Sequence, residues 1–131
     1  MSGLCGWVGY GQSIGENQQI TKSIVQALTR FDHSRSQIYV DENSSLAIAA
    51  SEQQLHYFHK NDFIAGIWGH AKFSNDALNQ LSSSQGIASV LVDQWVSHGP
   101  GAIEGLLGEF ICCLINVKSH EVFIAVDRMG T

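Results

Sequence analysis

The chain has 131 residues, 44% of them hydrophobic and only 15% charged, which suits one domain with a core and leaves too little charge for a disordered tail. Seven basic residues against twelve acidic ones give a net charge of −5, and the basic ones are scattered rather than striped, so no nucleic-acid partner is expected. The longest strongly apolar run, residues 110–115, is far shorter than the roughly 18 residues a membrane helix needs, and no basic segment precedes an apolar one as in a signal peptide. Three cysteines, two of them adjacent in an apolar run, do not make a disulfide framework, and a reducing cytoplasm is the expected compartment.

In chain order, residues 4–10 are apolar with interleaved glycines, which predicts a buried strand lying close to other backbone. Residues 17–31 place Ile20, Ile24, Val25 and Leu28 at helical spacing, so those side chains are expected to face the core. Four short stretches follow at about 37–41, 45–51, 54–59 and 62–69, separated by polar clusters, and read as successive antiparallel strands. Asn75 is placed to cap a short helix carrying Ala77, Leu78 and Leu81. A second helix has Ile87, Val90, Leu91 and Trp95 on one face, and Pro100 opens a brief amphipathic turn with Ala102-Ile103 and Leu106-Leu107. Residues 109–117 and 121–126 are β-rich and joined across Lys118-Ser119-His120, a predicted hairpin. Helices set within a largely antiparallel strand series give an α+β class, with helices packed on sheet faces.

Most of the chemistry-bearing residues have a plain structural reading. His56 and His59 are three apart in a predicted strand, which points them to opposite faces and away from a shared metal. Cys112 and Cys113 divide between two strand faces in the same way and read as small core residues. The Gly6-x-x-Gly9-x-Gly11 order does not fit a dinucleotide loop, and turn or close-packing roles suit these glycines better. The N-terminus is different. Removal of Met1 would leave Ser2 with a free α-amine beside its hydroxyl, and an amine with a pKa of about 7.7–8.0 can serve as base for its own side-chain nucleophile.

Met1-Ser-Gly-Leu-Cys-Gly-Trp-Val8 resembles the opening of class II glutamine amidotransferase domains in asparagine synthetase-like proteins, which begin Met-Cys-Gly-Ile. Ala88-Ser-Val-Leu-Val-Asp-Gln-Trp95, Leu106-Leu-Gly-Glu-Phe110 and Ala125-Val-Asp-Arg-Met-Gly130 are similar in order and spacing to the family's later blocks. Gly69-His-Ala-Lys-Phe-Ser-Asn75 falls where the family has Asn-Gly-Glu-Ile-Tyr-Asn or a Gly-x-Ala-Arg-Leu-Asp-Asn variant. Residues 1–131 are thereby expected to form one such domain of a longer chain, since the family continues past the final block. The resemblance implies an N-terminal-nucleophile fold, an αββα sandwich of two antiparallel sheets between helical layers. It also implies a parent activity in which glutamine is hydrolysed and ammonia passes to a downstream ATP-dependent synthetase domain. That downstream domain is the expected partner, with glutamine as the ligand. No cofactor is implied for this domain, because ATP and magnesium belong to the synthetase domain. Self-association is left open.

The departures from the pattern are as informative as the matches. Ser2 stands at the nucleophile position, where a hydroxyl lacks the thiolate fraction of cysteine. Trp68 replaces the oxyanion-hole Asn while the adjoining glycine survives as Gly69, and loss of one such donor costs on the order of 10²–10³ in rate. Phe31 aligns with the Arg that holds the glutamine carboxylate, with Arg30 or Arg35 as stand-ins, and Ser84 aligns with the Asp that binds the substrate amine. Four altered positions imply a degenerate site, retained as a docking or regulatory module. Two active alternatives stay open: Ser2 as a working nucleophile, or Cys5 freed by removal of four residues, since Cys5-Gly-Trp-Val-Gly9 itself resembles the family's start.

Overall fold

The computed structural model describes residues 3–8, 13–29, 35–51, 53–60 and 62–127. Chain order runs β1 (Gly3–Val8), α1 (Ile14–Thr29), β2 (Arg35–Val40), β3 (Ser44–Ala50), β4 (Leu55–Lys60) and β5 (Phe63–Phe73). It continues with α2 (Asp76–Gln85), α3 (Ile87–His98), the single turn α4 (Gly101–Glu104), β6 (Leu106–Asn116) and β7 (Glu121–Val126). The strands form two antiparallel sheets, one ordered β1-β3-β2 and the other β4-β5-β6-β7. Helix α1 packs on β2 and β3, whereas α3 packs on β4 and β5 and α2 on β5. The described residues therefore make a mixed α+β fold with two antiparallel sheets and four helices, as the strand and helix series predicts.

Two hydrophobic clusters hold the layers together. One, between the four-stranded sheet and its helices, gathers Ala65, Ile67, Phe73, Leu91, Phe110, Cys112 and Leu114. The other lies between the sheets and contains Leu46, Ile64, Cys113 and Ile115, with Leu4, Val8, Tyr39, Tyr57 and Val117 packed against it. Cys112 and Cys113 thus divide between the two clusters, as strand alternation requires. Burial pushes the Cys112 thiol up to about 11 and the Cys113 thiol up to about 12, so both remain small hydrophobes.

Helix α1 departs from the sequence expectation. Its buried residues are Asn17, Thr21 and Val25, while Ile20, expected to face inward, is 42% exposed. The reason is a polar seam that apolar periodicity cannot anticipate. Asn17 Nδ2 donates to the carbonyls of Asp41 and Glu42 at 2.9 and 3.2 Å, and Thr21 Oγ1 lies 2.7 Å from Ser45 Oγ. These bonds set Asn17 and Thr21 against β3 beside the expected Val25, while Ile24 and Leu28 are half-buried and Ile20 is left outside.

The other boundaries follow local chemistry. Asn75 Oδ1 accepts from the amides of Ala77 and Leu78 and so starts α2, as its capping position predicts. Gly86, at φ +90°, ends α2 and opens α3, whose face of Ile87, Val90 and Leu91 is buried and whose Trp95 ring rests 4.8 Å from Phe123. Leu106 and Leu107 belong to β6 and not to the preceding turn, because β6 pairs with β5 as far as Leu106↔Phe73. The β6–β7 hairpin forms where expected, with Asn116 Oδ1 accepting from the amides of Lys118 and Ser119 and with His120 at φ +61°.

Strand β1 is half-buried, and its glycine does what the interleaved pattern suggests: a Cβ on Gly6 would run into the Ser45 carbonyl oxygen. Leu4 and Ile48 lie over Gly66 of β5, and Val8 joins the cluster of Ile64, Ile115 and Val117. Among the described residues no helix is long and apolar enough to cross a membrane.

Candidate functional site

The sequence-derived site residues are only partly brought together. Ser2, Arg30 and Phe31 lie outside the described residues. Trp68 and Gly69 are consecutive in β5, which extends past the expected end at residue 69 to Phe73. Ser84 sits in the last turn of α2, exposed, with its hydroxyl donating to the Leu81 carbonyl at 3.1 Å, and it does not line the cleft around Gly69.

Strand β5 continues beyond Trp68 because of a pair of glycines. Gly69 has φ +118° and Gly108, on the facing strand, has φ +111°. A Cβ on Gly69 would run into the Glu109 carbonyl oxygen, and one on Gly108 would run into the His70 carbonyl oxygen. The two chains approach each other at the His70↔Glu109 pair as only two glycines permit. This local kink opens a small cleft of about 70 Å³ lined by Gln54, Trp68, Gly69, His70, Glu109 and Phe110.

The polar groups of this cleft are already engaged. The Gly69 N–H donates to the Gln54 carbonyl at 2.9 Å, and the Gly69 carbonyl accepts from the His56 ring. Gln54 Nε2 lies 3.2 Å from His70 Nε2, so the two side chains are hydrogen-bonded across the cleft. Burial lowers His56 below the usual imidazole range; its bond to Gly69 works in the opposite direction, and neighbouring His70 lowers it further. His56 is therefore a neutral donor at pH 7. Trp68 is half-buried, and its indole N–H is buried with no partner among the described residues.

Chemically, the cleft offers the exposed His70 and Glu109 side chains and a glycine whose amide and carbonyl are both committed. A volume of about 70 Å³ falls well below the ~300 Å³ at which ligand pockets begin. Among the described residues no group of three or more His, Cys, Asp or Glu side chains is arranged to hold a metal. His56 and His59 diverge as the strand reading predicts, with His56 turned to Gly69 and His59 set edge-on to Tyr39 at 4.9 Å.

Cys5 lies in the middle of β1, opposite Ala47, and burial pushes its thiol up. That is the reverse of what an activated cysteine needs. Sequence reasoning did not find Gln54, His70 or Glu109, because they meet through pairing across β4, β5 and β6. The Gly-His step at 69–70 was the one local signal available. No protein-family model matches the chain, and no curated protein matches it either.

Proposed function

We propose that the chain is a degenerate class II glutamine amidotransferase-type domain with an N-terminal-nucleophile fold, kept as a docking or regulatory module of an asparagine synthetase-like protein. The ordered sequence blocks supply the family. Two antiparallel sheets with helices packed on their outer faces suit that fold.

The observation that carries the loss of activity is the state of Gly69. Attack on an amide builds negative charge on the carbonyl oxygen, and that charge needs N–H donors aimed at it within about 2.7–3.1 Å. The Gly69 N–H is bonded to the Gln54 carbonyl just before β4, and the adjoining side chain is an indole whose N–H is buried. Among the described residues the cleft beside Gly69 is small, about 70 Å³, and its glycine amide is already bonded. A serine in place of cysteine compounds the loss, because its activation rests entirely on the α-amine.

Ammonia release from glutamine by the purified chain is expected to stay at background and to be unaltered by Ser2→Ala. Turnover abolished by that substitution would refute the reading. One observation favours an active alternative: the Trp68 indole N–H lacks a partner among the described residues and would serve as an oxyanion donor if the ring turned. In that case Trp68→Phe would abolish turnover together with Ser2→Ala. The Cys5 alternative is disfavoured, since freeing Cys5 would remove two residues of β1 and leave a thiol raised by burial.

A further inference from the structure

A groove remote from Gly69 runs along the open side of β2. This strand is the outermost of its sheet among the described residues. The Asp41 amide bonds the Ser44 carbonyl at 2.9 Å, and pairing continues through Val40↔Ser45, Tyr39↔Leu46 and Ile38↔Ala47. Antiparallel ladders alternate, so Tyr39 and Gln37 bond β3 while Ile38 and Val40 turn their N–H and C=O groups to the open edge. Natural edges are commonly blunted by lysine, proline or a bulge. Residues 36–40, Ser-Gln-Ile-Tyr-Val, carry no lysine or proline, and their pairing with β3 is continuous.

The groove has a volume of about 420 Å³ and two different walls. Gln18 and Lys22 of α1 form one, and Tyr57 and His59 of β4 form the other. Tyr39 is fixed between them: its hydroxyl donates to Asp41 Oδ2 at 2.6 Å, and its ring meets His59 at 73°. Asp41 also accepts from the Asn43 and Ser44 amides and from Ser44 Oγ, so its charge is spent within the β2–β3 turn. The cation left at the groove is Lys22, exposed, in a chain whose net charge is −5.

The geometry points to an acidic, extended peptide segment of a partner protein as the occupant, added as a strand along Ile38–Val40. Alternate side chains of such a strand would face opposite walls. Acidic ones would meet Lys22 and Gln18, and apolar ones would lie against Tyr57 and His59. Main-chain bonds to Ile38 and Val40 supply affinity, and the two walls set the acidic-apolar alternation.

The test uses fluorescence anisotropy with a labelled hexapeptide alternating glutamate and valine, its analogue alternating lysine and valine, and a glutamate-valine version N-methylated at alternate residues. The acidic peptide is expected to bind, and to weaken by about tenfold on N-methylation and again with Lys22→Glu. The lysine peptide should bind better to K22E than to the unaltered protein. N-methylation probes the ladder without touching the fold, and circular dichroism checks that K22E is folded. Equal binding of the N-methylated peptide, indifference to Lys22, or no binding of the acidic peptide would each overturn the proposal. So would an oligomer in sedimentation that Ile38→Pro dissolves, since the edge would then belong to a second copy of the chain.

Discussion

Replacing Gly69 with alanine tests the geometry on which the candidate site rests. The residue has φ +118°, a conformation that costs an L side chain on the order of 1–3 kcal/mol. An added Cβ would also run into the Glu109 carbonyl oxygen and lie 3.1 Å from Phe110 Cα, so backbone of β6 has to move. Overpacking of this kind adds about 1–3 kcal/mol, giving roughly 2–6 kcal/mol in all. Gly86 isolates the first contribution, because it has φ +90° but nothing within 4 Å of a built Cβ. Urea unfolding followed by circular dichroism reads both variants, and a loss of ~3 kcal/mol lowers the midpoint by about 1–3 M at the usual slope of ~1–3 kcal/mol/M. Gly69→Ala is expected to lose clearly more than Gly86→Ala. Equal losses would mean that β5 and β6 are not in close approach at His70↔Glu109, and the kink that shapes the cleft would be refuted.

Trp68→Phe removes a buried N–H that has no partner among the described residues, so thermal melting is expected to show little loss or a gain, the relief being about 1–3 kcal/mol against the area forfeited. Thr21→Val should cost about 1–2 kcal/mol in chemical unfolding by leaving Ser45 Oγ short of a partner, and adding Ser45→Ala should recover part of it. At Asp41 burial opposes the charge, but bonds from Tyr39, Asn43 and Ser44 outweigh it and hold the carboxyl below its usual range. A depressed folded value contributes stability above the ordinary carboxylate pKa of about 3.9, lost as pH falls through the folded value. The unfolding midpoint of Asp41→Asn should therefore trail the unaltered protein at pH 7 and converge with it in acid; a gap that persists would refute the assignment. Thiol labelling of the native chain at pH 8 should leave Cys112 and Cys113 unmodified and reach Cys5 only slowly, and rapid modification of Cys5 would revive it as a nucleophile.

Much of the architecture was legible because local chemistry and the fold agree. Asn75, Gly86 and the Lys118-Ser119-His120 turn mark boundaries through their own hydrogen bonds or dihedral freedom, and alternation alone divides Cys112 from Cys113. The inward face of α1 was legible only in part: Val25 is buried as its spacing predicts, but Ile20 is not. Its periodicity favours Ile20, whereas the face is set by Asn17 and Thr21 bonding residues some 24 positions away. The candidate site divides in the same way: Trp68 and Gly69 could be singled out from the sequence, but not His56 and Gln54 holding the Gly69 peptide.

By itself the sequence determined the succession of strands and helices and the absence of a basic stripe. Those are properties of residue type and spacing along the chain. Only the tertiary structure decided that the Gly69 amide is bonded to Gln54, that its cleft is small, and that β2 is outermost in its sheet among the described residues, with Ile38 and Val40 facing its open edge. These depend on which strand lies beside which. Register is fixed by long-range packing of the sheet faces, and a shift of one residue would exchange every bonded amide for a free one.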